Sequence, residues 1–143
     1  MWLSELRVVD FRCFSSATAE LGSGHNWLVG PNGAGKTSVL EAVFHLGSGK
    51  SFRSGDRSAV VRRGADGFVV SGRLNSAERS LLVGLQRDRA GVRARIDGVW
   101  SDRLIDLVSR VPVCSFDPES HLLVSGPAET RRQYLDWILF HVE

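Results

Sequence analysis

At 143 residues the chain is of single-domain size, and 43% hydrophobic with 24% charged residues is an ordinary globular balance, which excludes a disordered, collagen-like or disulfide-stapled class. A formal net charge of +2 is too small to argue for nucleic acid by itself, and no apolar run approaches the roughly 18 residues of a membrane span. Cys13 and Cys114, far apart in the chain and each in an apolar setting, read as buried reduced thiols, and without a basic-then-apolar leader the expected location is the cytoplasm, with no membrane contact.

Taken in order, Trp2 to Phe11 reads as a strand with Leu6 and Val8 on one face, and Phe14 to Leu21 as a weaker strand completing a hairpin. Gly22-Ser23-Gly24 is a loop, and His25 to Val29 is expected as a short buried strand. It feeds Gly30-Pro31-Asn32-Gly33-Ala34-Gly35-Lys36-Thr37, which fits G-x-x-x-x-G-K-[ST], the phosphate-binding P-loop. Glycines let backbone N–H groups converge on phosphate oxygens, and the following helix, expected over Ser38 to Leu46, adds its own unpaired donors and positive dipole end. Lys36 is expected on the β- and γ-phosphates, the Thr37 hydroxyl on Mg²⁺, and the Asn32 amide toward the terminal phosphate. The chain writes its cations as sixteen arginines and only two lysines, yet places a lysine here, where a slim ammonium on a flexible stem is needed rather than a planar fork.

The helix carries Val39, Leu40, Val43, Phe44 and Leu46 as its apolar stripe and stops at Gly47. Ser48 to Gly55, with Lys50 and Arg53, reads first as a solvated connector and second as a loop near nucleotide or DNA. Asp56 to Arg63 is expected as a short helix. Gly67 to Leu74, Arg79 to Arg87 and Val92 to Ile96 then have β character, separated by turns and followed by an Asp97-Gly98 hairpin signal. This antiparallel meander is expected beside a parallel β-α-β core. A helix from the Ser101 cap to Arg110, a buried strand over Val111 to Phe116, a loop with a short helix from Asp117, and a last helix from Ala128 to about Phe140 complete the series. Arg131 and Arg132 sit near the start of that last helix, where its dipole disfavours cations, so they are either solvated or there to meet a negative group.

A complete P-loop NTPase also needs a strand ending in an acid that holds Mg²⁺ through water or polarises the attacking water. No run of four apolar residues ending in Asp-Asp or Asp-Glu exists, and Val113 to Asp117 is the nearest substitute. The four histidines show no metal spacing with the cysteines. The residues therefore supply a phosphate cradle without a water-activating acid.

The block Leu6 to Arg12, the P-loop run from Leu28 to Ala42, Ser51-Phe52-Arg53, Arg95-Ile96-Asp97-Gly98, Pro118-Glu119 and Arg131-Arg132-Gln133-Tyr134-Leu135-Asp136-Trp137 stand in the order found in the RecF family. The chain resembles the N-terminal part of these bacterial recombination mediators, whose ATPase head is of the SMC/ABC type. The resemblance implies an α/β P-loop fold: lobe I of the head, a mixed parallel core sheet with an added antiparallel meander, bearing Walker A, with lobe II, signature and Walker B outside this chain. It implies ATP and Mg²⁺ at Gly30, Pro31, Asn32, Gly33, Ala34, Gly35, Lys36, Thr37 and Ser38, with Arg12 near the nucleotide, Thr37 on the metal, and the Asp117 to Glu119 loop where related ATPases place a Mg²⁺-contacting glutamine. It further implies DNA replication, gap repair and the SOS response through ATP-dependent homodimerisation on single-stranded or gapped DNA, with recombination mediator proteins as partners. Arg53, Arg57, Arg62 and Arg63 are the expected contacts to DNA phosphates. Slow ATP turnover is implied for the intact protein and binding without efficient hydrolysis for this chain. A self-sufficient small P-loop kinase and a non-catalytic interaction lobe are the other readings of the same residues.

Overall fold

Period-two alternation along Trp2–Phe11 (β1) turns Leu6 and Val8 to one side, and the same alternation in Phe68–Asn75 (β3) and Ser80–Asp88 (β4) turns Phe68, Val70, Leu74, Leu81, Val83 and Leu85 to that side. With Phe14–Glu20 (β2), Gly91–Ile96 (β5) and Val99–Ser101 (β6) they form a six-stranded sheet in the order β2-β1-β3-β4-β5-β6. The structure, a computed structural model, describes residues 1–56, 59–116 and 118–142. Lys36–Ser48 (α1) and Leu104–Val108 (α2) lie against the apolar side of the sheet, and Leu122–Ser125 (α3) and Ala128–Val142 (α4) follow.

Helix α1 is seated at Gly72 of β3. A Cβ there would stand 2.5 Å from Leu3 Cδ1 and 2.9 Å from the Glu5 carbonyl oxygen, with Leu46 Cδ2 at 3.2 Å, so only glycine lets helix and strands approach this closely. Leu46 is fully buried in the resulting core with Phe11, Leu85, Val60 and Leu107, a burial that contributes about 1.5–3 kcal/mol for such a side chain.

Several expectations change. Every strand pairing among the described residues is antiparallel, so the β1–β2 hairpin and the meander together make up the sheet and no parallel ladder joins it. His25 to Val29 is extended but unpaired, with Trp27 and Val29 almost fully exposed, because no described strand lies alongside to take its backbone groups. Val111 to Phe116 is likewise not a strand; Val111 is buried and Phe116 exposed. The expected helix over Asp56 to Arg63, of which residues 57 and 58 lie outside the described residues, is replaced by a segment stitched to the end of β1. Arg12 N–H donates to the Val60 carbonyl at 2.7 Å, Arg62 N–H to the Asp10 carbonyl at 2.8 Å, and Val61 bridges Phe11. A helix would need those carbonyls and donors for itself. Helix α2 is shorter than expected and begins after Arg103, while the Ser101 hydroxyl donates to Asp106 instead of capping. Both cysteines are exposed rather than buried.

The buried stripe of α1 is Ser38, Glu41, Ala42, His45 and Leu46, whereas Leu40 points to solvent. The interior face thus carries polar groups that composition alone assigns to the surface. His45 is packed edgewise against Phe68 and tilted against Phe11, ring centroids 5.2 and 6.0 Å away, and its Nδ1 has no hydrogen-bond partner among the described residues. Burial holds its pKa below the ordinary imidazole range, outweighing a backbone hydrogen bond with Lys50 and the nearby Glu41 charge. Unfolded, the ring takes a proton below about pH 6.5, so the unfolded state binds more protons there and stability falls as pH drops. Urea unfolding at pH 7.5 and 5.5 should show this loss, and His45→Phe should remove it; an unchanged pH slope in the variant would contradict a buried neutral imidazole.

Candidate nucleotide site

The loop between Gly30 and Lys36 is shaped by two left-handed glycines, Gly33 at φ 84° and Gly35 at φ 95°. A Cβ at Gly33 would meet nothing, whereas one at Gly35 would stand 2.5 Å from the Phe14 ring and 3.0 Å from Cys13 Sγ. Gly35 is therefore required twice, by its backbone and by the β1–β2 turn pressed against it. It is also the N-cap of α1 and offers no side-chain cap. The first intrahelical bond runs from Val39 N–H to the Gly35 carbonyl, 3.0 Å, so the earlier N–H groups of the first turn have no partner within the helix. These orphan donors and the positive end of a 13-residue helix face the glycine loop.

Lys36 folds back into that loop. Its Nζ donates to the carbonyls of Gly30 and Pro31 at 2.8 and 2.9 Å, which places the ammonium inside the curve of the P-loop. Thr37 and Asn32 are exposed at the mouth, as are Pro31 and Ala34. Ser38 is buried instead, its hydroxyl 3.9 Å from Cys13 Sγ, so its side chain serves the helix–turn contact. The structure thus gathers Gly30 to Thr37 around one cradle. The residues present fit a polyphosphate, with unpaired backbone donors, a lysine and an exposed hydroxyl converging at a helix start. The same hydroxyl of Thr37 suits a hard cation such as Mg²⁺ that the phosphates would share. Among the described residues no cluster of three or more His, Cys, Asp or Glu side chains could hold a metal alone.

Arg12 lies in the turn between β1 and β2 with φ 53°, a conformation that costs a non-glycine residue about 1–2 kcal/mol. Its guanidinium grips Glu41 with both arms: Nε donates to Oε2 at 2.8 Å and Nη2 donates to Oε1. Glu41 is fully buried, also accepts the Ser51 hydroxyl, and has Arg53 Nη1 3.7 Å from Oε2. Burial alone would raise the Glu41 pKa, but hydrogen bonds from Arg12 and Ser51 and the charges of Arg12 and Arg53 hold it below the ordinary carboxylate range. Neither Glu41 nor Ser51 is among the site residues expected from sequence. A signal is there, since Glu41 falls at i+3 from Ser38 and i−4 from His45 on the same helix face.

The arginines expected on DNA are divided. Arg62 is paired with Asp10 at 2.7 Å and Arg53 leans on Glu41, while Arg63 is exposed and Arg57 lies outside the described residues. Arg131 donates to the Gly126 carbonyl at 2.9 Å, and Arg132 stands 3.5 Å from Glu129, an exposed pair of a kind worth less than about 1 kcal/mol. Asp117 lies outside the described residues.

The family model described as the RecF/RecN/SMC N terminal domain matches residues 2–96. The chain is 44% identical over its full length to the DNA replication and repair protein RecF of Erwinia tasmaniensis, of which it covers 40%, and equally to that of Yersinia enterocolitica, again 40%. It thus spans about two-fifths of the length of the relatives it matches. Among solved structures, the recombination mediator protein RecF with ATP in the RecFOR pathway superposes with a TM-score of 0.87 at 26% identity, covering 99% of this chain and 39% of that one. The SMC head domain from Thermotoga maritima superposes at 0.63 with 20% identity over 77% of this chain and 42% of that one, a likeness of fold. The fold is accordingly that of the P-loop ABC/SMC ATPases.

Glu41→Ala should destabilise the protein by about 3–5 kcal/mol, because it strands the buried end of Arg12 without its counter-charge. Urea denaturation at pH 7 measures it, and a loss below about 1 kcal/mol would show that the pair is not a structural anchor.

Proposed function

This chain belongs to the RecF/RecN/SMC N-terminal domain family, and from that premise we propose that it is lobe I of an ATP-binding head acting in DNA replication, recombination and repair. The observation that carries the reading is the uncapped start of α1 beneath two left-handed glycines, with the Lys36 ammonium already inside the loop. The 44% identity to RecF proteins and the fit to a solved RecF described with ATP support it.

In this reading the backbone donors of Gly33 to Thr37 hold the β- and γ-phosphates, and Lys36 exchanges its Gly30 and Pro31 carbonyls for phosphate oxygens. Thr37 supplies a ligand to Mg²⁺, which when bound neutralises and orients the phosphates. Asn32 stands at the mouth toward the terminal phosphate. Arg12 is clamped to Glu41 through Nε and Nη2, and its Nη1 donates to the Ala59 carbonyl, so a contact with nucleotide would require the guanidinium to give up one of these partners. The remaining parts of the site, signature and Walker B, belong to lobe II and to a second subunit, and ATP acts by favouring dimer over monomer. DNA is engaged through its backbone phosphates, and recombination mediator proteins are the partners. A self-sufficient kinase has no observation in its favour here.

Lys36→Ala should lose ATP binding by at least about tenfold, since a charge-assisted contact of this kind is worth roughly 1.5–3 kcal/mol, while circular dichroism stays unchanged. Calorimetry reads the affinity, and equal affinity in the variant would sink the phosphate-cradle assignment. The 143-residue chain alone should also show no robust hydrolysis; turnover within the ordinary enzyme range of about 1–10³ s⁻¹ would contradict a half-site.

A further inference from the structure

One side of the sheet packs on α1; the other is open and is lined by the alternate residues of every strand. One row crosses it by register: Thr18 of β2 opposite Arg7 of β1, then Ser71 of β3, Gly84 of β4, Arg95 of β5 and Trp100 of β6. Ser71 and Gly84, with little or no side chain, make the floor of a groove of about 390 Å³ that Glu5, Val69, Leu82, Gln86, Arg95 and Trp100 also line. Alternation puts Arg73 and Arg93 on the same face, so it carries four arginines against the acids Glu5 and Asp88, with Glu20 at its edge. Trp100 is 45% exposed, and the guanidinium carbons of Arg93 and Arg95 stand 4.9 and 5.2 Å from its ring centroid. Arg95 Nε is fixed further by donating to the Gly98 carbonyl at 3.1 Å, and Arg93 Nη2 touches Asp88 at 3.3 Å.

We propose that this face is a nucleic-acid-binding groove, in which Arg93 and Arg95, held against Trp100, clamp the phosphates of a strand lying over Ser71 and Gly84. This rests on the reading that the protein binds DNA and moves the contact from the Arg53 to Arg63 segment to the sheet. Three observations favour it over an acidic protein surface. Stacking on the indole pre-orders two planar forks, whose outer N–H edges suit tetrahedral anions. Arg93 and Arg95 are two residues apart on one strand and bring both guanidiniums to one indole, so two cations are concentrated at a single point of the groove. The groove is low at Ser71 and Gly84, between the larger Val69, Leu82, Gln86 and Trp100, which leaves a path for a continuous backbone. Recognition of this kind is independent of base sequence and weakens with salt.

The test uses the intact protein and a fluorescein-labelled oligo-dT, followed by anisotropy from 50 to 200 mM salt, with polyglutamate of equal charge as the comparison ligand. The double variant R93A/R95A should bind the oligonucleotide at least about tenfold more weakly, and its log K against log salt slope should flatten by about 1.4, at ~0.7 for each phosphate left without its arginine. Its ATP affinity should not change. Gly84→Asp, whose added Cβ meets nothing nearer than 3.5 Å, places a carboxylate on the floor and should weaken binding without removing an arginine. Unchanged affinity and slope in both variants would overturn the groove while leaving DNA binding in place. Tighter binding of polyglutamate than of oligo-dT would overturn it in favour of an acidic protein partner. Failure of the unaltered protein to bind oligo-dT would overturn the DNA reading and the groove together.

Discussion

The bidentate pair between Arg12 and Glu41 is the constraint on which the arrangement of this lobe depends. A carboxylate with no exposure costs several kcal/mol to bury unless a counter-charge and further donors meet it. Here Arg12, Ser51 and Arg53 do so from two separate loops, and Glu41 brings the helix that begins at the P-loop. The hairpin turn, the phosphate-binding helix and the segment after it are therefore fixed to one another at a single point. The left-handed backbone of Arg12 is the strain this arrangement tolerates.

A second contact sets the depth of the cradle. The Phe14 ring leaves no room for a side chain at Gly35, so the start of α1 is pressed onto the β1–β2 turn. With Gly72 making room for Leu46 near the other end of the same helix, α1 is held close to the sheet and its turn at both ends. The orphan N–H groups at its start are thus presented on a rigid base, which is what a phosphate site needs if binding is not to be spent on ordering the loop. On the far side of the sheet the same alternation that fills the core leaves arginines, small residues and one tryptophan facing outward. The two faces of one sheet accordingly carry two different chemistries.

Much of the site was legible because phosphate binding by a P-loop is local. Gly33, Gly35, Lys36 and Thr37 act through backbone angles and a helix start that neighbouring residues specify. The hairpin, the meander and the last helix were legible for a similar reason, since their periodicity and turn residues are written in consecutive positions. Glu41 was not, although it lies on the buried stripe, because an acid inside a helix pattern reads as a surface residue until its partners are placed. The segments His25 to Val29 and Val111 to Phe116 have the apolar run of a strand. Forming one needs a neighbour to accept its backbone hydrogen bonds, and none of the described strands does. Asp56 to Arg63 failed in the opposite sense, its backbone being recruited by the end of β1.

Consecutive residues are enough to specify that a phosphate-binding loop opens a helix, that an antiparallel meander follows, and that the chain resembles the RecF family. Each of these is carried by short-range spacing or by motif order. Which charges are buried, which arginines are already engaged and which sheet face is left open emerge only once the chain is folded. Those outcomes depend on contacts between residues tens of positions apart, such as Arg12 with Glu41 and Arg62 with Asp10. The free energy of a buried ion pair is set by its surroundings rather than by its place in the chain.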